Sequence, residues 1–159
     1  MAHTRQMLKK ARDMGFCLRT TFIVGFPGET EDDFQKLMDF TEEIGFDRMG
    51  AFAFSPEEDT PAFSMPDQVP DEVKQKRLDR LMRLQAKISL SRNQARVGTA
   101  EKVLVTGKTA TGYTGRSAFE APDADGLIRL TSKRPLTEGT FVQVRLPGAD
   151  TYDLTGEVI

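Results

Sequence analysis

One thiol, Cys17, and one imidazole, His3, are all that the 159 residues offer as soft metal ligands. A zinc site needs about four ligands and an iron-sulfur cluster at least about three thiolates, so neither is written here, and neither is a disulfide framework. Cys17 reads as a small buried apolar residue just ahead of a strand. The segment TGKT at residues 106–109 looks like the end of a phosphate loop. The Walker pattern, however, requires glycine five places before Gly107, where Lys102 stands, so nucleotide binding there is discarded. What remains is a corner. The apolar run Phe22–Phe26 halts at Pro27-Gly28, and the acidic residues after it open a helix. In parallel α/β folds the ends of strands are where loop amides and helix N-termini face ligands, and GFPGET at residues 25–30 has the form of such an end.

The elements around this corner follow from spacing. Met7, Leu8, Ala11 and Met14 recur at helical intervals over residues 4–14, and Gly15 suits the residue after a helix end. The apolar run at 22–26 predicts a strand covered on both faces, as in parallel sheets. Thr30 is placed to cap the next helix, with Asp33 three residues on, and Phe34, Leu37, Met38, Thr41 and Ile44 mark one face up to Gly45. Glu29 belongs to the turn. A second strand, MGAFAFS, follows, and because alternate strand residues point to opposite faces, Phe52 or Phe54 is expected in the core. Helix, strand, helix, strand with short connections is the arithmetic of a parallel α/β fold. Two such strands cannot cover their own edges, and a barrel of this type needs about 200 residues or more. Residues 1–64 are therefore expected to be an incomplete unit whose partner strands precede Met1.

Residues 65–95 predict a linker helix. Pro70 suits its first position, Asp71 and Glu72 complement the positive end of the helix dipole, and Leu78, Leu81, Met82, Leu84 and Ile88 form an apolar stripe. Lys76, Arg80, Arg83 and Lys87 lie opposite. Residues 71–96 hold eight basic and three acidic side chains, which read first as a solvated face with pairs such as Glu72 to Lys76 and Asp79 to Arg83, and second as a surface for ribosomal or transfer RNA. From residue 96 the pattern becomes all-β. EKVLVTG, YTGRSAF, GLIRLTS, TFVQVRL and YDLTGEVI are short strands between Gly, Pro and Asp turns, which predict a small OB-like barrel over 96–159.

Composition limits the partners. A formal net charge of -2 argues against a surface built as a whole to attract phosphate. Residues 96–159 carry eight basic and eight acidic residues and few aromatics, so weak or no RNA binding is expected of that segment. No apolar run approaches the roughly 18 residues of a membrane span, and the N-terminus lacks the apolar core of a signal peptide, so a cytoplasmic chain without membrane contact is expected.

Taken in order, RTTFIVGFPGETEDDF, FAFSPEEDTPA, YTGRSAFEAPDADGLIRL and VQVRLPGADTYDLTGEVI resemble the C-terminal part of the radical S-adenosylmethionine methylthiotransferases, in the branch that modifies an aspartate of a small-subunit ribosomal protein. The resemblance covers nearly the whole chain. It implies an α/β plus all-β architecture: the C-terminal part of a TIM-like partial barrel (1–64), a linker helix (65–95) and a TRAM domain (96–159). It implies S-adenosylmethionine and two 4Fe-4S clusters as cofactors of the full-length enzyme. The cluster-binding CxxxCxxC loop is absent here, so the chain by itself has no catalytic or metal-binding residue and is expected to be inactive. It places Val24 and Gly25 near the cofactor, with Phe54, Ser55 and Pro56 on its adenine side. Substrate contacts are expected at Arg116, Asp123 and Asp125, with the ribosomal protein as partner, free or on the assembled subunit. Alternative readings are the sister class that methylthiolates an adenosine of transfer RNA and a non-catalytic binding module. The sequence departs from the branch at Asp59, where Gly is usual, and at Ala118, where Tyr is usual.

Overall fold

The computed structural model describes residues 2–159. They form two compact units, one ending at Ile88 and one running from Ser89 to Ile159.

The first unit is built on two strands. Helix α1 (Ala2–Asp13) leads to β1 (Arg19–Val24), α2 (Glu31–Ile44) and β2 (Arg48–Ala53), and the strands pair in parallel from Arg19↔Arg48 to Val24↔Ala53. Local chemistry sets the ends of α2. The Thr30 side chain accepts from the Asp33 backbone N–H, the Asp33 carboxylate accepts from that of Thr30, and Gly45 closes the helix in the left-handed region. Phe34, Phe40, Thr41 and Ile44 are the buried face of α2 and join Leu18, Val24, Phe46, Met49 and Leu81 in one core. Phe22, Phe40 and Phe46 meet edge to face in this core, with centroids 5.8–6.5 Å apart.

The short helix expected from Met7, Leu8, Ala11 and Met14 is present as α1, which packs Leu8 and Ala11 against the core and leaves Met7 and Met14 exposed. Two other expectations fail for a common reason. Strand β1 alternates between exposed and covered residues, with Ile23 57% exposed, where an apolar run had predicted cover on both faces. Phe52, its partner in register, is 63% exposed and Phe54 is half-buried, so neither belongs to the core. The sheet is packed on one face only, and residues pointing to the other face have nothing to bury against.

Helix α3 (Asp71–Gln94) starts one residue later than expected, since the Pro70 carbonyl accepts from the amides of Val73 and Lys74 and Pro70 therefore stands before the first turn. Its buried face is also different. Lys74, Arg77, Leu81, Gln85, Ser89 and Asn93 recur every three or four residues and are buried, whereas Leu78, Met82, Leu84 and Ile88 are only half-covered. Among the described residues the Asp79–Arg83 pair forms, at 2.9 Å, and no Glu72–Lys76 pair does.

The second unit is a closed five-stranded barrel in the order β3 (Ala100–Thr109), β4 (Gly112–Arg116), β5 (Ile128–Thr131), β7 (Leu154–Val158), β6 (Phe141–Ala149). All pairings are antiparallel except β5 with β7. Alternation fills the interior with Val103, Val105, Ile128, Leu130, Val144, Leu146 and Leu154. Gly115 permits this closure, because a Cβ there would lie 2.6 Å from Val103 Cγ1 and 2.8 Å from the Leu104 carbonyl oxygen. The OB-like barrel is thus present. Strand β4 ends at Arg116, however, so Ser117, Ala118 and Phe119 lie in the following loop.

Candidate functional site

At the end of β1 the GFPGET corner is held by side chains the sequence reading had placed in solvent. The Gly25 N–H donates to Glu29 Oε1 at 3.0 Å, and Arg77 Nη1 donates to the same oxygen at 2.7 Å and to the Glu29 carbonyl at 3.1 Å. Arg77 is 5% exposed, and the Glu29 side chain is 14% exposed. One guanidinium nitrogen that bridges the Glu29 carbonyl and a carboxylate oxygen already holding a backbone amide fixes the turn at both ends. Lys74 fills the space beside Gly25: a Cβ at position 25 would lie 2.3 Å from Lys74 Cγ, and Gly25 has φ +77°. Glycine is therefore required here by Lys74 and by the backbone angle. The Lys74 ammonium reaches Asp71 at 2.9 Å and sits 5.6 Å from the centroid of the Phe54 ring, which packs edge-on against Phe26 at 5.1 Å.

The cofactor-side residues expected from sequence come together unevenly. Val24 and Phe54 are joined by a hydrogen bond from the Phe54 N–H to the Val24 carbonyl, at 2.8 Å. The Val24 side chain is fully buried in the core, so only its backbone faces the corner. Gly25 is beside Lys74 and Phe54, whereas Ser55 and Pro56 are exposed on the segment that follows. Among the described residues no group of three or more His, Cys, Asp or Glu is placed to hold a metal.

In the barrel, Arg116, Asp123 and Asp125 border one cleft of about 510 Å³, together with Leu104, Pro122 and a third carboxylate, Glu138. Arg116 comes from the end of β4 and Glu138 from the turn before β6, while the two aspartates come from the loop between β4 and β5. The aspartates differ in their duties. Asp125 Oδ2 accepts from the Ala121 N–H at 2.7 Å and so braces the loop, whereas Asp123 stands exposed at its tip with φ +59°. Glu138 was missed because it lies far from the others in sequence, in a turn with no pattern of its own.

The start of that loop is clamped by Arg96. Its guanidinium donates to both oxygens of Glu101 at 2.9 Å each, to Glu120 Oε1 at 2.6 Å and to Ser117 Oγ at 3.0 Å, and it lies over the Phe119 ring at 4.9 Å. Glu120 also accepts from the Ser117 N–H and hydroxyl at 2.9 and 2.8 Å. Burial alone raises the Glu120 carboxyl, but the hydrogen bonds and charge of Arg96, with the two Ser117 donors, outweigh it and leave Glu120 below the usual carboxylate range. The acidic run EAPDAD is thus no surface strip: Glu120 is consumed inside, and Asp123 is the carboxylate of the three left open.

Residues 97–159 match the family model described as a TRAM domain. Over the whole chain, three similar proteins are the ribosomal protein uS12 methylthiotransferases RimO of Pelotomaculum thermopropionicum (53% identical, 91% of this chain and 33% of that protein), Desulforamulus reducens (51%, 91% and 33%) and Syntrophomonas wolfei (45%, 98% and 36%). The chain spans about a third of the length of these curated relatives. The TRAM match at residues 97–159 and the identity that continues ahead of it make this chain similar to the RimO methylthiotransferases over about a third of their length.

Proposed function

We propose that this chain is the substrate-holding and scaffold portion of a uS12 methylthiotransferase, acting on the β-carbon of an aspartate in that small-subunit ribosomal protein, free or on the assembled subunit. The observation that carries this reading is the cleft, in which Arg116 faces Asp123, Asp125 and Glu138. Ribosomal proteins are rich in Lys and Arg, and three carboxylates beside one guanidinium favour a basic peptide segment with an acidic residue in it. Arg116 offers the fork for that acidic residue, and Asp123 pairs with a flanking cation. The same carboxylates disfavour phosphate, so the cleft itself has low affinity for RNA.

S-adenosylmethionine and two 4Fe-4S clusters supply the radical chemistry in this reading. The corner at Val24, Gly25 and Phe54, with Ser55 and Pro56 after it, lines the side of the S-adenosylmethionine site that this chain contributes. Arg77 and Lys74 keep the turn and the Phe26–Phe54 pair in place. No described residue holds a cluster, so the chain alone binds and positions and does not start the reaction.

Binding of the chain to purified uS12 tests the reading. Asp123→Lys is expected to weaken binding about tenfold at about 150 mM salt, since a close charge pair at a partly covered interface is worth on the order of 1–2 kcal/mol and its reversal costs more. Unchanged affinity in Asp123→Lys, or no binding of uS12 by the unmodified chain, overturns it.

A further inference from the structure

Residues 55–70 leave the end of β2 and return to the corner after β1, where the Gly28 N–H donates to the Asp67 carbonyl at 2.9 Å. This strap is ordered by its own contacts. The Gln68 side-chain amide donates to the carbonyls of Ala62 and Met65 at 2.9 and 3.1 Å, and Val69 is buried at the base. Pro56, Pro61 and Pro66 stiffen the stretch between. Yet Phe63 is 49% exposed and Met65 42%, so the ordered strap leaves two large apolar side chains uncovered. Two successive turns keep an acidic run beside them: the Thr60 hydroxyl donates to the Glu57 carbonyl at 2.8 Å, and the Phe63 N–H to the Thr60 carbonyl at 3.1 Å. From Phe54 to Val73 the chain carries Glu57, Glu58, Asp59, Asp67, Asp71 and Glu72 and no Lys, Arg or His. Asp71 pairs with Lys74, while the other five carboxylates are exposed and form no ion pair among the described residues.

A loop that folds around its own hydrogen bonds has no packing use for a bare Phe and Met, and the charge around them selects what covers them. Five unpaired carboxylates repel phosphate, and they repel a second copy of this chain, whose formal net charge is -2. They attract Lys and Arg. We propose that the strap docks a Lys- and Arg-rich segment of a protein partner, with an apolar side chain of that segment against Phe63 and Met65 and its cations at Glu57, Glu58 and Asp59. The inference rests on the reading of a ribosomal-protein substrate and deepens it, because it gives that basic protein a contact on the first unit, on the strap tied to the corner. The strap is already ordered, so docking costs it little further entropy.

The test is fluorescence anisotropy of the whole chain with labelled uS12 and, separately, with a labelled unstructured peptide of about twelve residues that alternates Lys and Leu, at about 50 and 150 mM salt. Phe63→Ser combined with Met65→Ser should weaken binding of both probes about tenfold at either salt. Glu57→Lys and Glu58→Lys should each weaken it severalfold, and more at the lower salt. The losses should persist when Asp123→Lys is also present, and circular dichroism should show each variant folded. Affinity for both probes unchanged in the folded Phe63→Ser, Met65→Ser variant or in Glu57→Lys overturns the proposal, and the cleft reading then stands or falls on Asp123→Lys alone. Peptide binding that the strap variants abolish, without any binding of uS12, leaves the strap as a site for a basic protein segment and removes the substrate it was linked to. No binding of either probe at the lower salt overturns both. A dimer of the chain, or binding of an oligoribonucleotide, that the Phe63 and Met65 changes abolish would give the strap a different occupant and overturn the proposal.

Discussion

The two units solve the same problem in opposite ways. The barrel closes on itself, so each of its five strands is paired on both sides and no edge is left. The two-stranded sheet of the first unit has an unpaired edge on each strand, and Ile23 and Phe52 lie open side by side on its bare face. The first unit instead depends on α3, whose buried Lys74, Arg77 and Gln85 reach into the turn after β1 and the carbonyl of Phe46. One unit is held by closure of its sheet, the other by a core on one face of an open sheet together with a few long-range polar contacts.

The strongest way to break this contrast is to remove the barrel's own polar anchor. Arg96→Ala leaves Glu120, whose side chain is fully buried, without its cation, and should cost about 3 kcal/mol or more of barrel stability in a urea titration. The pH dependence has a definite sign. Because the folded Glu120 carboxyl is depressed, its contribution is complete above the unfolded value of about 4.3 and is lost as pH falls through the lower folded value. The urea midpoint should therefore drop between about pH 5 and pH 3, and Glu120→Gln should flatten that drop.

A somewhat smaller effect is expected in the first unit. Gly25→Ala puts a methyl group 2.3 Å from Lys74 Cγ at a positive φ and should cost about 2 kcal/mol, read as faster amide exchange in β1 and α2 with the barrel unaffected. Thr30→Ala removes the α2 cap and should cost about 1 kcal/mol, confined to the same unit.

Which of these features were legible in the sequence follows the same line. The Thr30–Asp33 box, Gly45 and the five alternating strands obey rules that act over a few residues, and the sequence shows them directly. The contacts of Lys74 with Gly25 and of Arg77 with Glu29 join residues 48 or 49 places apart, as Arg96 joins Glu120 across 24. Nothing in the local pattern separates these buried cations from Lys76 or Arg83, which do face solvent. The apolar stripe on α3 was misread for that reason: the helix buries its polar side where the neighbouring turn supplies partners. Arg116, Asp123 and Asp125 were found as neighbours because they are close in sequence, whereas Glu138 needed the barrel to bring it to them.

Native-state hydrogen exchange, read strand by strand, tests the central contrast most directly. The account predicts slow exchange near the global limit for amides of β3 to β7 and faster exchange, by at least about tenfold, for β1 and β2. Amides of β1 and β2 as protected as those of the barrel would contradict it.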